Sequence, residues 1–245
     1  MALNDYEKGR KYLCLPLDID SAEEALKIVD ELKEYVGCFK IGMQLFTLAG
    51  PELVRKIISK DCKVFLDLKY HDIPNTVGHA VKEAGKLGVS YITIHLSGGS
   101  EMIRAANDAI KDVPEDTRPM ILGVTVLTSI SEDQLQNELN VSRKVHEQVE
   151  SLIELGIKNN VFGIVCSPSD LSHLGNKFRN VHFVTPGIRP SWSEKNDQKR
   201  IETPSQAIKN GASMLVIGRP ILNAPDRKEA AIKILEEIEE CLKQK

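Results

Sequence analysis

Five charged residues recur beside short apolar runs of the sequence. Asp18 follows the first run, Lys40 lies within the second beside Gly42, Asp67 and Lys69 end the third, and Asp72 stands in the next loop. Asp67 and Lys69 are two positions apart, so on a strand both point the same way. If that way is an interior, two opposite charges lie close together in a poorly hydrated place. Burying them is costly unless they are paired or used. A single Asp or Lys at a strand end is ordinarily a solvated loop charge. Five at one end of the same architecture instead suggest a built site, the bland alternative being an ion-pair network with no catalytic role. A second group suits anion binding. Gly187-Ile188-Arg189 and Gly218-Arg219 each follow an apolar run. Glycine lets backbone N–H groups approach an anion, and arginine offers a planar donor fork.

Other chemistry is poorly represented. His71, His79, His95, His146, His173 and His182 fit no metal-binding spacing, and neither a P-loop nor a G-x-S-x-G elbow is present. His95 ends the fourth run and could line a pocket or serve as a structural histidine. Ser97-Gly98-Gly99-Ser100 reads equally well as an anion cradle or as a plain strand-to-helix turn. Cys14, Cys38, Cys62, Cys166 and Cys241 are odd in number and match no zinc motif, as expected of reduced and mostly buried thiols.

The elements that must position these residues follow from periodicity. Eight apolar runs recur: Tyr12–Leu17, Cys38–Gly42, Val64–Leu68, Tyr91–Leu96, Met120–Val126, Val161–Cys166, Val181–Val184 and Met214–Ile217. Most are unbroken rather than alternating, as in strands buried on both faces of a parallel sheet. Helical stretches separate them. Ser21 is an N-cap with Glu23 and Glu24 in the first turn, and Pro51 opens another helix. Further helices are expected at Val77–Leu87, Ser100–Ile110, Ser142–Leu155, Thr203–Asn210 and Lys228–Leu242. This alternation predicts a single (β/α)8 TIM barrel over residues 1–245, close to the typical length of about 250. The runner-up is an open doubly wound sheet, but no glycine-rich dinucleotide fingerprint follows the first run. Pro16 cannot donate to a ladder, so the first strand is expected to be short or irregular. In such a barrel the chemistry lies at the C-terminal strand ends, with phosphate often held after strands seven and eight. The long polar segment Pro186–Arg200, with the single tryptophan Trp192, reads as a lid over that end.

Composition narrows the partners. Of 245 residues, 32 are basic and 35 acidic, leaving a net charge of −3 with no strong basic field for nucleic acid or anionic lipid. The N-terminus lacks an apolar signal core, and no apolar run approaches the roughly 20 residues of a membrane span. A cytoplasmic protein without nucleic-acid or membrane partners is expected.

The run Asp67-Leu68-Lys69-Tyr70-His71-Asp72-Ile73-Pro74-Asn75-Thr76 resembles the signature of the orotidine 5′-phosphate decarboxylase family. The resemblance extends over nearly the whole chain. It takes in Asp18, Phe39-Lys40-Ile41-Gly42, Val124–Ser129, Thr185–Pro190, Asp197–Arg200 and Ile217–Pro220. Sister sugar-phosphate enzymes that use magnesium share the D-x-K-x-x-D core, whereas the Ile-Pro-x-Thr extension and Gln198 favour the nucleotide enzyme. The resemblance implies cofactor-free decarboxylation of orotidine 5′-phosphate to UMP in pyrimidine synthesis, without a metal, by a homodimer with shared sites. It implies a Lys40-Asp67-Lys69-Asp72 catalytic array, with Asp72 and Thr76 supplied by the partner subunit. It also implies that Asp18 and Lys40 hold the ribose, that Thr128 contacts the pyrimidine, and that Arg189, Gln198, Gly218 and Arg219 hold the phosphate. Lys69 would stabilise the C6 carbanion and give it a proton.

Overall fold

A computed structural model of the protein describes residues 6–193 and 202–244. Eight parallel strands pair in sequence order and close, β8 onto β1, into a barrel. The strands are β1 Leu13–Pro16, β2 Cys38–Gly42, β3 Val64–Tyr70, β4 Tyr91–His95, β5 Met120–Val124, β6 Gly163–Val165, β7 His182–Pro186 and β8 Ala212–Val216. The expected TIM barrel is the observed fold.

The strands read as unbroken apolar runs because their two faces meet two separate cores. Cys14, Cys38, Phe65, Tyr91, Leu122, Val184, Met214 and Val216 form a cluster of their own. These side chains come from every strand except β6, so they fill the barrel from within. The second, larger cluster joins the alternate strand residues, such as Leu13, Leu15, Phe39 and Ile41, to the helices outside. The helix Ala22–Leu32 shows how that shell is built. Ser21 caps it, its hydroxyl accepting from Glu24 N at 3.2 Å, and Ala25, Ile28, Val29 and Leu32 form its buried face. Thr203 and Asp226 cap the helices Pro204–Lys209 and Arg227–Lys243 in the same way.

Several boundaries differ from the sequence expectation, each for a local reason. β1 is short and ends on Pro16, consistent with its missing donor. β3 continues past Leu68 to Tyr70 through an irregularity. Leu66 pairs with Ile92 and Tyr70 with Ile94, so four steps on β3 face two on β4. β6 is shorter than expected, running only from Gly163 to Val165 after Phe162, which is 45% exposed. Pro51 does open a helical segment, but helical residues from Met43 precede it, and the chain turns at Gly50 with φ of 61°. The helix Pro168–Leu174 was not anticipated. Its signal was present, because Ser167 and Asp170 form a capping box around Pro168. Among the described residues, no helix is long and apolar enough to cross a membrane.

Candidate active site

At the C-terminal mouth of the barrel lies a cavity of about 350 Å³. Its lining includes Asp18, Lys40, Asp67, Lys69, Thr128, Arg189, Gly218 and Arg219. Eight of the eleven residues singled out in the sequence therefore meet in one place.

The four charges nearest the barrel axis form a chain of alternating sign. Lys40 Nζ lies 3.5 Å from Asp18 Oδ1 and 3.3 Å from Asp67 Oδ2. Lys69 Nζ donates to both oxygens of Asp67 at 2.8 Å. The side chains of Lys40 and Asp67 are 13% and 10% exposed, against 26% for Lys69 and 63% for Asp18. The two central groups are thus the dry ones. Burial disfavours the Asp67 carboxylate, but Lys40, Lys69 and the hydrogen bonds from Lys69 and Thr93 outweigh it and hold its pKa below the usual range. Burial likewise disfavours the Lys40 ammonium, and Asp67 and Asp18 outweigh it and raise its pKa. Both groups are ionised at neutral pH.

The backbone that delivers Lys69 is strained. Lys69 has φ of 51°, in the left-handed region that costs a non-glycine residue about 1–2 kcal/mol. Its amide N–H donates to Thr93 Oγ1 at 2.9 Å, and the same hydroxyl donates to Asp67 Oδ1 at 3.0 Å.

The opposite side of the cavity is built from the turns after β7 and β8. Gly187 adopts φ of 81°. Arg189, only 4% exposed, is fixed by its amide N–H donating to the Glu202 carbonyl at 3.0 Å. Gly218 packs so closely on β1 that a methyl group would stand 2.8 Å from Pro16 Cγ. It leads directly into the short helix Arg219–Leu222. This is the end of the fold where phosphate groups are commonly held.

Two expected residues are not brought to the cavity. Asp72 and Thr76 are exposed on the segment after β3, and neither belongs to the cavity lining of its own chain. The Asp72 carboxylate instead accepts from the Ile73 N–H at 2.6 Å. Gln198 lies outside the described residues, as does residue range 194–201 of the expected lid. In the described part, Trp192 is 47% exposed. His95 is not part of the lining; its ring stacks 5.2 Å from that of His71. Burial, His71 and Lys69 lower its pKa. Ser97-Gly98-Gly99-Ser100 forms a strand-to-helix turn, a 3-10 turn over Leu96–Gly98 running into the helix Gly99–Ala109, with Gly99 at φ of 82°. Thr93 and Cys166 were missed by sequence reasoning, both hidden inside apolar runs. Cys166 lines the cavity, and burial pushes its thiol well above the usual value, which disfavours the thiolate form. No group of three His, Cys, Asp or Glu suited to a metal ion occurs among the described residues.

The fold and cavity define a class: a (β/α)8 barrel with an alternating lysine–aspartate array and a rim of glycine and arginine residues at its C-terminal mouth. Residues 11–234 match the family described as Orotidine 5′-phosphate decarboxylase / HUMPS family. The orotidine 5′-phosphate decarboxylase of Syntrophomonas wolfei subsp. wolfei is 43% identical over 241 residues, covering 95% of this chain and 100% of that one. That of Syntrophotalea carbinolica is 44% identical over 241 residues, covering 97% and 98%. The crystal structure of orotidine 5′-phosphate decarboxylase from Lactobacillus acidophilus superposes with a TM-score of 0.83 at 38% identity, over 93% of this chain and 99% of that chain. The chain belongs to the orotidine 5′-phosphate decarboxylase / HUMPS family.

Proposed function

We propose that the cavity decarboxylates orotidine 5′-phosphate to UMP and CO2, without a cofactor or metal, and that Lys69 is the proton donor. The chain is a carboxy-lyase of its family. The observation that carries the finer reading is the Lys69 ammonium held on both oxygens of Asp67 beside Lys40 at the mouth of the barrel.

The chemistry sets a narrow requirement. When the bond from C6 to the carboxylate breaks, CO2 departs and the electron pair remains on C6 in the plane of the ring. It cannot spread into the ring π system. A fixed positive charge beside C6 must therefore stabilise it, and a preorganised ammonium in a dry site does so without reorganisation. Lys69 then gives a proton from Nζ to C6, forming the C–H bond of UMP, and is reprotonated from water. Asp67 faces the departing carboxylate in this reading. The like charges oppose each other in the ground state and are relieved as CO2 leaves. Lys40 and Asp67 keep the array aligned.

The remaining assignments follow the family pattern. Asp18 and Lys40 hold the ribose hydroxyls, Thr128 contacts the pyrimidine, and Arg189, Gln198, Gly218 and Arg219 hold the phosphate. Phosphate binding far from C6 contributes to ordering the site, which raises the rate as well as the affinity. Asp72 and Thr76, exposed and outside their own cavity, suit a homodimer in which each chain completes its partner's site. Ile73 between them is 66% exposed, an apolar group fit for such an interface. A cytoplasmic single-domain enzyme of residues 1–245, with no nucleic-acid or membrane partner, completes the reading.

The test is the fall in ultraviolet absorbance of orotidine 5′-phosphate with purified protein, with and without EDTA. We expect EDTA-resistant loss of absorbance with UMP as product. Absence of turnover by folded protein, or turnover abolished by EDTA, would overturn the reading and favour a sugar-phosphate substrate.

A further inference from the structure

Among the residues of the barrel interior, Thr93 has an unusual position. It is fully buried on β4 and is not part of the cavity lining. Its hydroxyl is used twice, accepting from the Lys69 amide at 2.9 Å and donating to Asp67 Oδ1 at 3.0 Å. A hydroxyl has one proton to give, and Thr93 gives it to the array.

The reason lies in the irregular pairing of β3. Between the pairs Leu66↔Ile92 and Tyr70↔Ile94, β3 carries two more residues than β4. Within this bulge the Lys69 amide finds a side-chain oxygen in place of a ladder carbonyl, and Lys69 takes its left-handed φ of 51°. That turn brings its ammonium back over Asp67, two positions earlier. At the same time the Thr93 proton occupies one side of Asp67 Oδ1. The carboxylate plane is then set so that Oδ1 meets Thr93 and Lys69 while Oδ2 meets Lys69 and Lys40. One hydroxyl thus fixes both the backbone of the ammonium and the orientation of the carboxylate.

We infer that Thr93 is a positioning residue for the reaction, holding Lys69 and Asp67 in their working geometry through a single hydroxyl. The inference rests on the decarboxylase reading for its kinetic consequence, and on the geometry alone for its structural one.

Thr93→Val keeps the shape and removes both hydrogen bonds, and Thr93→Ser keeps the hydroxyl. Both are made in the full-length chain and compared with the unaltered protein for kcat, KM, UMP affinity and crystal structure. For Thr93→Val we expect kcat to fall about tenfold to a hundredfold, as for loss of a hydrogen bond to a charged group. KM and UMP affinity should stay within about threefold, because Thr93 is not part of the cavity lining. Thr93→Ser should recover most of kcat. Unchanged kcat in Thr93→Val, or a loss that serine does not restore, would overturn the proposal. The Thr93→Val crystal structure should show Lys69 out of its left-handed conformation and one of its bonds to Asp67 broken; an unaltered Lys69 would overturn the proposal equally. If the unaltered protein does not decarboxylate orotidine 5′-phosphate, the functional reading fails by itself and this structure still decides the role of Thr93.

Discussion

Lys69 grips Asp67 through both carboxylate oxygens at 2.8 Å although the two residues stand only two positions apart on one strand. An extended strand separates such residues by about 7 Å, so the contact depends on the left-handed turn at Lys69. Lys69→Ala should lower kcat by at least about a thousandfold, the range of a lost proton donor and a lost electrostatic stabiliser combined. UMP should still bind, since Lys40 continues to pair Asp67. Steady-state kinetics with isothermal titration by UMP reads both quantities, and near-normal turnover would remove Lys69 from its role.

Arg219 is exposed at the rim after β8, so its loss should spare the fold. Arg219→Ala should raise KM for orotidine 5′-phosphate about tenfold to a hundredfold, as for a lost charge-assisted hydrogen bond. It should leave the reaction of orotidine, which lacks the phosphate, unchanged. Equal impairment with both compounds would place Arg219 elsewhere than at the phosphate.

The shared-site reading has a direct test in mixed subunits. Lys69→Ala and Asp72→Asn chains are each expected to be nearly inactive alone. In a heterodimer of the two, one site carries both defects and the other carries neither. Mixing equal amounts should therefore restore roughly a quarter of full activity, through random pairing of symmetric dimers. No recovery after verified subunit exchange would mean that Asp72 acts within its own chain, or not at all.

The charge chain also makes stability depend on pH, with opposite signs at its two central members. Asp67 is held below its ordinary pKa, so its contribution is present above about pH 4 and is lost as pH falls through its lowered value. Lys40 is raised, so its contribution is complete below about pH 10 and is lost as pH rises through its raised value. Between these limits His95 and His182 act. Burial lowers both, so the folded state resists their protonation and stability declines as pH drops below about 6.5. Urea unfolding across the pH range should show this plateau with a shoulder below neutrality. His182→Phe should reduce the shoulder, and a shoulder of unchanged size would assign it to other groups.

Much of this was legible in the chain itself. β2 runs from Cys38 to Gly42 as expected, because Cys38, Phe39 and Ile41 are buried on both its faces and Lys40 alone interrupts the apolar run. The charges at the strand ends converge because a parallel barrel puts all its C-terminal ends at one mouth. What stayed hidden has physical reasons. The last residues of β3 are charged or polar and belong to a bulge, which no periodicity reveals. Thr93 is a β-branched residue in an apolar run, and its hydroxyl matters only because Lys69 and Asp67 arrive from another strand. Asp72 and Thr76 matched a motif, but a motif does not say whose cavity its residues enter.

The plug of side chains from Cys14 to Val216 that fills the barrel beneath the charges gives the cavity an apolar floor. In the proposed reaction, substrate, gas and nucleotide pass at the mouth, beside Thr128, Arg189 and Arg219. The floor is also a layer of low polarisability, which strengthens the attractions among Lys40, Asp67 and Lys69 on that side. Closing the mouth over a bound ligand would take water from the other side too and strengthen those attractions further.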